Sequence, residues 1–280
     1  MEGTVSDDVS MNDVSAAAAD SDIKDLFVGL IPSLFAENTA EQDCKVISDL
    51  KTAVDKSMEL RLGYKRCPKF IIHAGVDKQV ATLVGKYAMC DTCGPHCSSI
   101  VEDGMAILCN VIAQSEDDCD GFNCNHTVYN TVRQTTAETS RLDIFSRGLD
   151  YMMKFWEQGH SHLSTIDDAL TNRCVSVVGT ADTSYVTDII DFCMRAVDYE
   201  LINDSNMSKI LHATVQTLDR TELDSVENVC IILSSIGSIL GHQQTNVHGE
   251  FLKAGYWEYV VRYLNHHDGK VKKSSFISLL

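Results

Sequence analysis

Apolar residues recur along this chain at helical spacing. Val76, Val80, Leu83, Val84 and Tyr87 form one stripe, and Ile189, Ile190, Cys193 and Val197 form a second. Trp257, Val260, Val261 and Leu264 form a third, at i, i+3, i+4 and i+7, the period of one helix face. Strand-type alternation is hard to find. Residues 226–240, VENVCIILSSIGSIL, are apolar almost all round, which predicts a helix buried between neighbours. Three prolines in 280 residues are few enough to leave such helices unbroken. The pattern predicts an all-α protein.

The punctuation between the stripes repeats. A short helix ends in glycine, an amphipathic helix follows, then a polar turn and a more apolar helix. Gly29, Gly75, Gly148 and Gly255 occupy the turn in GLIPSLF, HAGVDKQVATLV, SRGLDYMMKFW and LKAGYWEYVVRYL. Glycine permits the left-handed conformation that ends a helix and the tight backbone approach of a sharp corner. Pro32 suits the first turn of the following helix, where its missing N–H costs nothing.

These residues resemble the armadillo-repeat family. Gly29, Ile31, Pro32 and Leu34 match its Gly-x-Ile-Pro-x-Leu pattern, Leu108, Asn110 and Val111 match its third-helix pattern, and residues 246–280 follow a whole repeat in register. Gly29 and Gly75 stand about one repeat of roughly 40–47 residues apart. The longer interval from Gly75 to Gly148 implies an insertion. The interval from Gly148 to Gly255 suits two repeats, with Ser205 where glycine would stand. The resemblance implies a right-handed superhelical solenoid of about four to five armadillo-like three-helix repeats. It spans residues 21–280.

Composition adds the flanking segment. Residues 1–20, rich in Ser, Ala and Asp, have little to bury and read as a disordered acidic tail. The formal net charge of −17 argues against nonspecific binding to nucleic acid or anionic membrane. No apolar run has the length of a membrane span, and the N-terminus has no secretory signal pattern, so a cytoplasmic or nuclear protein is expected. The eleven cysteines should then be thiols. Cys44, Cys109, Cys174, Cys193 and Cys230 each fall on an apolar helical face.

The remaining cysteines raise the question of metal. CDTCGPHC places Cys90, Cys93, His96 and Cys97 in one stretch, and Cys119, Cys124 and His126 follow. With helices over 76–89 and 99–114, the two clusters sit at opposite ends of a rod roughly 22 Å long, too far apart for one ion. What is left is a zinc alternative at Cys90, Cys93 and Cys97, weighed against a surface loop. Glu116, Asp118, Asp120 and Gly121 begin a calcium-loop pattern that fails at Thr127, where a bidentate Glu is needed. His160 and His162 fall at a turn before a helix and lack an obvious carboxylate partner, and His266-His267-Asp268 falls at the last turn between repeats, where histidine suits the negative end of a helix. No phosphate loop, nucleophile elbow or His-Glu-x-x-His motif is present, so no catalytic residue and no cofactor other than zinc is expected.

Stacked repeats build a surface for extended partner segments. The resemblance implies that asparagines on the third helices grip such a segment. Asn110 holds that position and Ser235 replaces it in LSSIG, a departure from the importin pattern. At the other end, Phe276, Ile277 and Leu280 lie in an apolar C-terminal stretch, expected to be covered by a partner, a second copy or a continuation of the array. Lys253, Arg262, Lys270, Lys272 and Lys273 outnumber Glu258 and Asp268 there. The expected function is a noncatalytic protein-binding scaffold, with a zinc-binding helical domain as the alternative.

Overall fold

The structure is a computed structural model that describes residues 24–59, 67, 70–90, 94–113, 126–160, 165–180, 183–218, 226–241, 249, 253 and 255–277. The acidic tail expected at residues 1–20 and the acidic loop at 116–124 lie outside the described residues. Among those described, every regular element is helical. The chain divides into two compact units, Met1–Val128 and Tyr129–Leu280.

The first unit contains α1 (Leu30–Leu34), α2 (Ala40–Glu59), α3 (Val76–Ala88) and α4 (Pro95–Ala113). A reciprocal cap starts α2. The Thr39 N–H donates to Gln42 Oε1 at 2.9 Å, and the Gln42 N–H donates to Thr39 Oγ1 at 3.4 Å. Two of the N–H groups left over at a helix start are satisfied this way. All five residues of the stripe from Val76 to Tyr87 are buried, and α4 packs against both α2 and α3. The contact is close at Gly104, where an added Cβ would lie 2.5 Å from Val84 Cγ2. Across this core, Tyr87 donates its hydroxyl to buried Asp43 at 2.7 Å, with Lys86 Nζ 3.6 Å from the same carboxylate. The carboxylate is thereby buried with both a donor and a counter-charge.

The second unit contains α5 (His126–Glu138), within which the division falls, and α6 (Leu142–Phe155), α7 (Asp168–Thr180), α8 (Thr183–Asp198), α9 (Asp204–Thr217), α10 (Val226–Gly241), α11 (Tyr256–Leu264) and α12 (Gly269–Ile277). α6 widens into a turn over Trp156–His160 and breaks at Gly159, φ 82°. α8 packs on α6, α7 and α10; α7 packs on α9; α12 packs on α10 and α11. Trp156 lies at the centre, fully buried, 5.0 Å from the Phe192 ring and donating its indole N–H to the Tyr129 hydroxyl at 3.3 Å.

The corner between α8 and α9 carries its own lock. Glu200 takes φ 58°; its N–H donates to the Val197 carbonyl at 3.0 Å, and the Leu201 N–H donates to the Ala196 carbonyl at 2.8 Å. This is the Schellman pattern, with buried Leu201 and Ala196 as its apolar partners. The Leu201 carbonyl then accepts the Ile166 N–H at 3.0 Å, and buried Asn206 donates to the Ile166 carbonyl at 3.3 Å. The corner therefore also holds the start of α7.

Several expectations are corrected. Gly29 is right-handed, φ −91°, and caps α1, with Pro32 in that helix's first turn. Gly148 is no turn but lies inside α6, on the buried stripe of Ile144, Phe145, Leu149 and Met152. A Cβ on Gly148 would come within 1.8 Å of Thr136 Oγ1, so glycine here serves the close approach of α5 and α6. Gly75 and Gly255 are left-handed, φ 69° and 78°. Ser205 lies in the first turn of α9, and the left-handed residue of that corner is Glu200. α4 begins at Pro95 rather than 99, because proline at the first helical position starts a helix readily. α10 buries Val229, Ile232, Leu233 and Ile236 but exposes Ser234, so one side of it meets solvent.

Two substitutions test these readings. Gly148→Ala should lower the urea-unfolding free energy by about 1–3 kcal/mol from overpacking, despite the better helix propensity of alanine. Adding Thr136→Ala should restore part of that loss; no restoration would place the strain elsewhere. Glu200→Gly should raise stability by about 0.5–1 kcal/mol by relieving a left-handed non-glycine residue, and a lower midpoint would show that the side chain holds the corner.

Candidate partner-binding surface

Helix α11 is set by the residue before it. Gly255 turns the chain in a left-handed conformation, and its carbonyl accepts the Glu258 N–H at 3.1 Å. The helix then buries Tyr256, Val260 and Tyr263, one face at i, i+4 and i+7. Tyr263 donates its hydroxyl to the Leu218 carbonyl at 2.9 Å, at the C-cap of α9. A hydrogen bond lowers the cost of burying a phenol, and this one ties the rotation of α11 to the end of α9.

That rotation corrects the expected stripe. Val260 is fully buried, but Trp257 is 47 % and Val261 57 % exposed, with Leu264 half-buried beside them. The two tyrosines, which periodicity in aliphatic residues overlooked, take the inward face. Trp257, Val261 and Leu264 form a second apolar face at i, i+4 and i+7, turned outward.

The charge around it is positive. Lys253, Arg262, Lys270, Lys272 and Lys273 are exposed. The Arg262 guanidinium stands 5.8 Å from the Tyr263 ring. Of the acids after Gly255, Glu258 is exposed, whereas Asp268 caps α12 by accepting the Lys270 N–H at 2.7 Å. That hydrogen bond, first among its causes, holds the Asp268 carboxyl below the ordinary carboxylate range. The His266 Nδ1 accepts the Asp268 N–H at 3.1 Å, and the His266 and His267 rings lie 4.2 Å apart.

The other sequence-predicted residues are distributed as follows. Asn110 is exposed on α4, in the first unit. Ser235 belongs to α10, in the second, and its side chain lies outside the described residues. Phe276 and Ile277 end α12, with their side chains likewise outside the description, and Leu280 lies outside it altogether.

The cysteine motif divides. Cys97 is a buried free thiol in the first turn of α4, and Cys93 lies outside the described residues. Cys90, just past the C-cap of α3, is disulfide-bonded. This corrects the expectation of thiols throughout: Cys90 is not sealed in a core as the buried thiols are. In that state Cys90 offers no thiolate to a metal. Among the described residues, no group of three or more His, Cys, Asp or Glu side chains is arranged to hold a metal ion.

The free thiols are packing groups. Burial pushes Cys67 up to about 11 and Cys174 up to about 12, and it raises Cys97 and Cys193 as well. Cys44, half-buried on α2, is raised by burial first and then by the nearby Asp103 carboxylate. In the folded protein at pH 8, an alkylating reagent should therefore leave Cys67, Cys97, Cys174 and Cys193 unmodified until denaturant is added. Peptide mass mapping checks this, and native-state labelling of Cys174 would contradict the packing of α7 on α8.

No helix among the described residues is long and apolar enough to cross a membrane. Compared with known proteins, the chain matches no protein-family model and no curated protein.

Proposed function

We propose that this protein is a noncatalytic scaffold that binds another protein through the α11–α12 surface. The observation that carries the reading is the exposed pair Trp257 and Val261, one turn apart on a helix whose neighbouring face is already committed to the core. Tryptophan and arginine, both exposed on α11, are enriched in binding hot spots. Large apolar side chains held in the open on a well-anchored helix mark an interaction site more often than a folding need.

The architecture belongs to the same proposal. An armadillo-like solenoid of about four to five repeats accounts for a recurrence within each unit. In the first unit, left-handed Gly75 precedes α3, which packs on α4; in the second, left-handed Gly255 precedes α11, which packs on α12. Such a scaffold offers Asn110 on α4 as a separate contact point, with no cofactor in the binding step.

The test is affinity capture with the whole chain, run beside Trp257→Ser and Asn110→Ala. A protein complex retained by wild type, lost with Trp257→Ser and unaffected by a zinc chelator is expected. Loss with Asn110→Ala alone would move the contact to α4. Complexes indifferent to both substitutions, or dissolved by chelation, would overturn the assignment.

A further inference from the structure

The α11–α12 surface combines an apolar stripe with a positive surplus, in a chain whose formal net charge is −17. We propose that it binds an acidic segment of another protein that carries large apolar side chains, seated with those side chains on Trp257, Val261 and Leu264 and its carboxylates toward the lysines of α12. The proposal rests on the protein-binding reading above and supplies the chemistry of the partner.

Two features define that chemistry. The stripe repeats at i, i+4 and i+7, so it matches a partner's anchors over about two turns. On the same two helices Arg262, Lys270, Lys272 and Lys273 are exposed, against one exposed acid, Glu258, and Asp268, engaged in capping α12. Arg262 lies on α11 itself, and Lys270, Lys272 and Lys273 lie on the helix packed against it.

The alternative occupants of a basic, apolar surface are an anionic membrane and a second copy of this chain. Distance separates them. At physiological salt, exposed charges act over about 8 Å. A short segment confined to this surface therefore responds chiefly to its local positive surplus. A bilayer extends past the patch and meets the rest of a strongly acidic chain, and a second copy brings the same excess of negative charge. Both are repelled where a short acidic segment is not.

The experiment pans a random peptide display library, of about twelve residues per member, against the whole chain. The same library is panned against Trp257→Ala/Val261→Ser and against Lys272→Glu/Lys273→Glu. Because all four side chains are exposed, thermal melts of both variants should match wild type. Enriched peptides should be acidic, with at least two large apolar residues. Synthesised and measured by fluorescence anisotropy, they should bind each variant about tenfold or more weakly and weaken as salt rises. Enrichment of neutral or basic peptides would overturn the acidic chemistry. Acidic peptides that bind the variants as well as wild type would remove this surface while leaving the protein-binding reading intact. No enrichment at all would remove both. Sedimentation with phosphatidylserine-containing vesicles, lost in the variants, would reassign the surface to a membrane.

Discussion

Burying a phenol is costly unless its hydroxyl is hydrogen-bonded, and at Tyr263 that cost sets which way α11 faces. Tyr263 is buried, and its hydroxyl reaches the Leu218 carbonyl at the end of α9. Rotating α11 by one residue would move the ring out of the core and leave that carbonyl without the bond. The loss of a buried polar contact costs about 1–3 kcal/mol, and loss of the apolar burial of two tyrosines adds to it. Trp257 and Val261 face outward as a result. Their exposure follows from a stronger claim on the inward face, not from weak packing.

The same device recurs in the first unit. Tyr87 reaches across the core to Asp43, while the rest of its stripe is aliphatic. There, the aliphatic pattern and the tyrosine agree on which face is inward, so α3 was legible from spacing alone. In α11 they compete. Counting Trp257, Val260, Val261 and Leu264 as one stripe gave the helix its place and length but turned it the wrong way, because the tyrosines were treated as neutral. The discriminating signal was present as Tyr256 and Tyr263 at i and i+7, directly after Gly255.

The glycines at the predicted turns stand in three different settings. Gly75 and Gly255 supply left-handed turns, Gly29 caps a helix in a conformation open to any residue, and Gly148 admits Thr136 from a neighbouring helix. Spacing along the sequence separates none of these, since the third depends on a residue in another helix. Glu200 shows the converse. It adopts the left-handed conformation without being glycine, held by the Schellman bonds around it and by the buried Leu201 that follows. A search for glycine therefore placed that corner at Ser205, inside the first turn of α9.

The candidate site was legible in its charge and not in its shape. The surplus of Lys253, Arg262, Lys270, Lys272 and Lys273 is a property of sequence alone, and so is its contrast with the acidity of the whole chain. Which acids oppose it is a property of the fold. Asp268 counts fully against the lysines in a tally of charge, yet its carboxylate is directed to the first N–H groups of α12, where it meets the positive end of that helix. Local capping thus lessens its opposition to the cations around it. Glu258 is left as the exposed acid on α11, one turn before Arg262, a spacing at which their charges offset each other along the helix. Lys272 and Lys273 are exposed on α12, the helix packed against α11. The exposed apolar pair and the exposed lysines thus lie on two helices packed against each other, beside the buried tyrosines of α11.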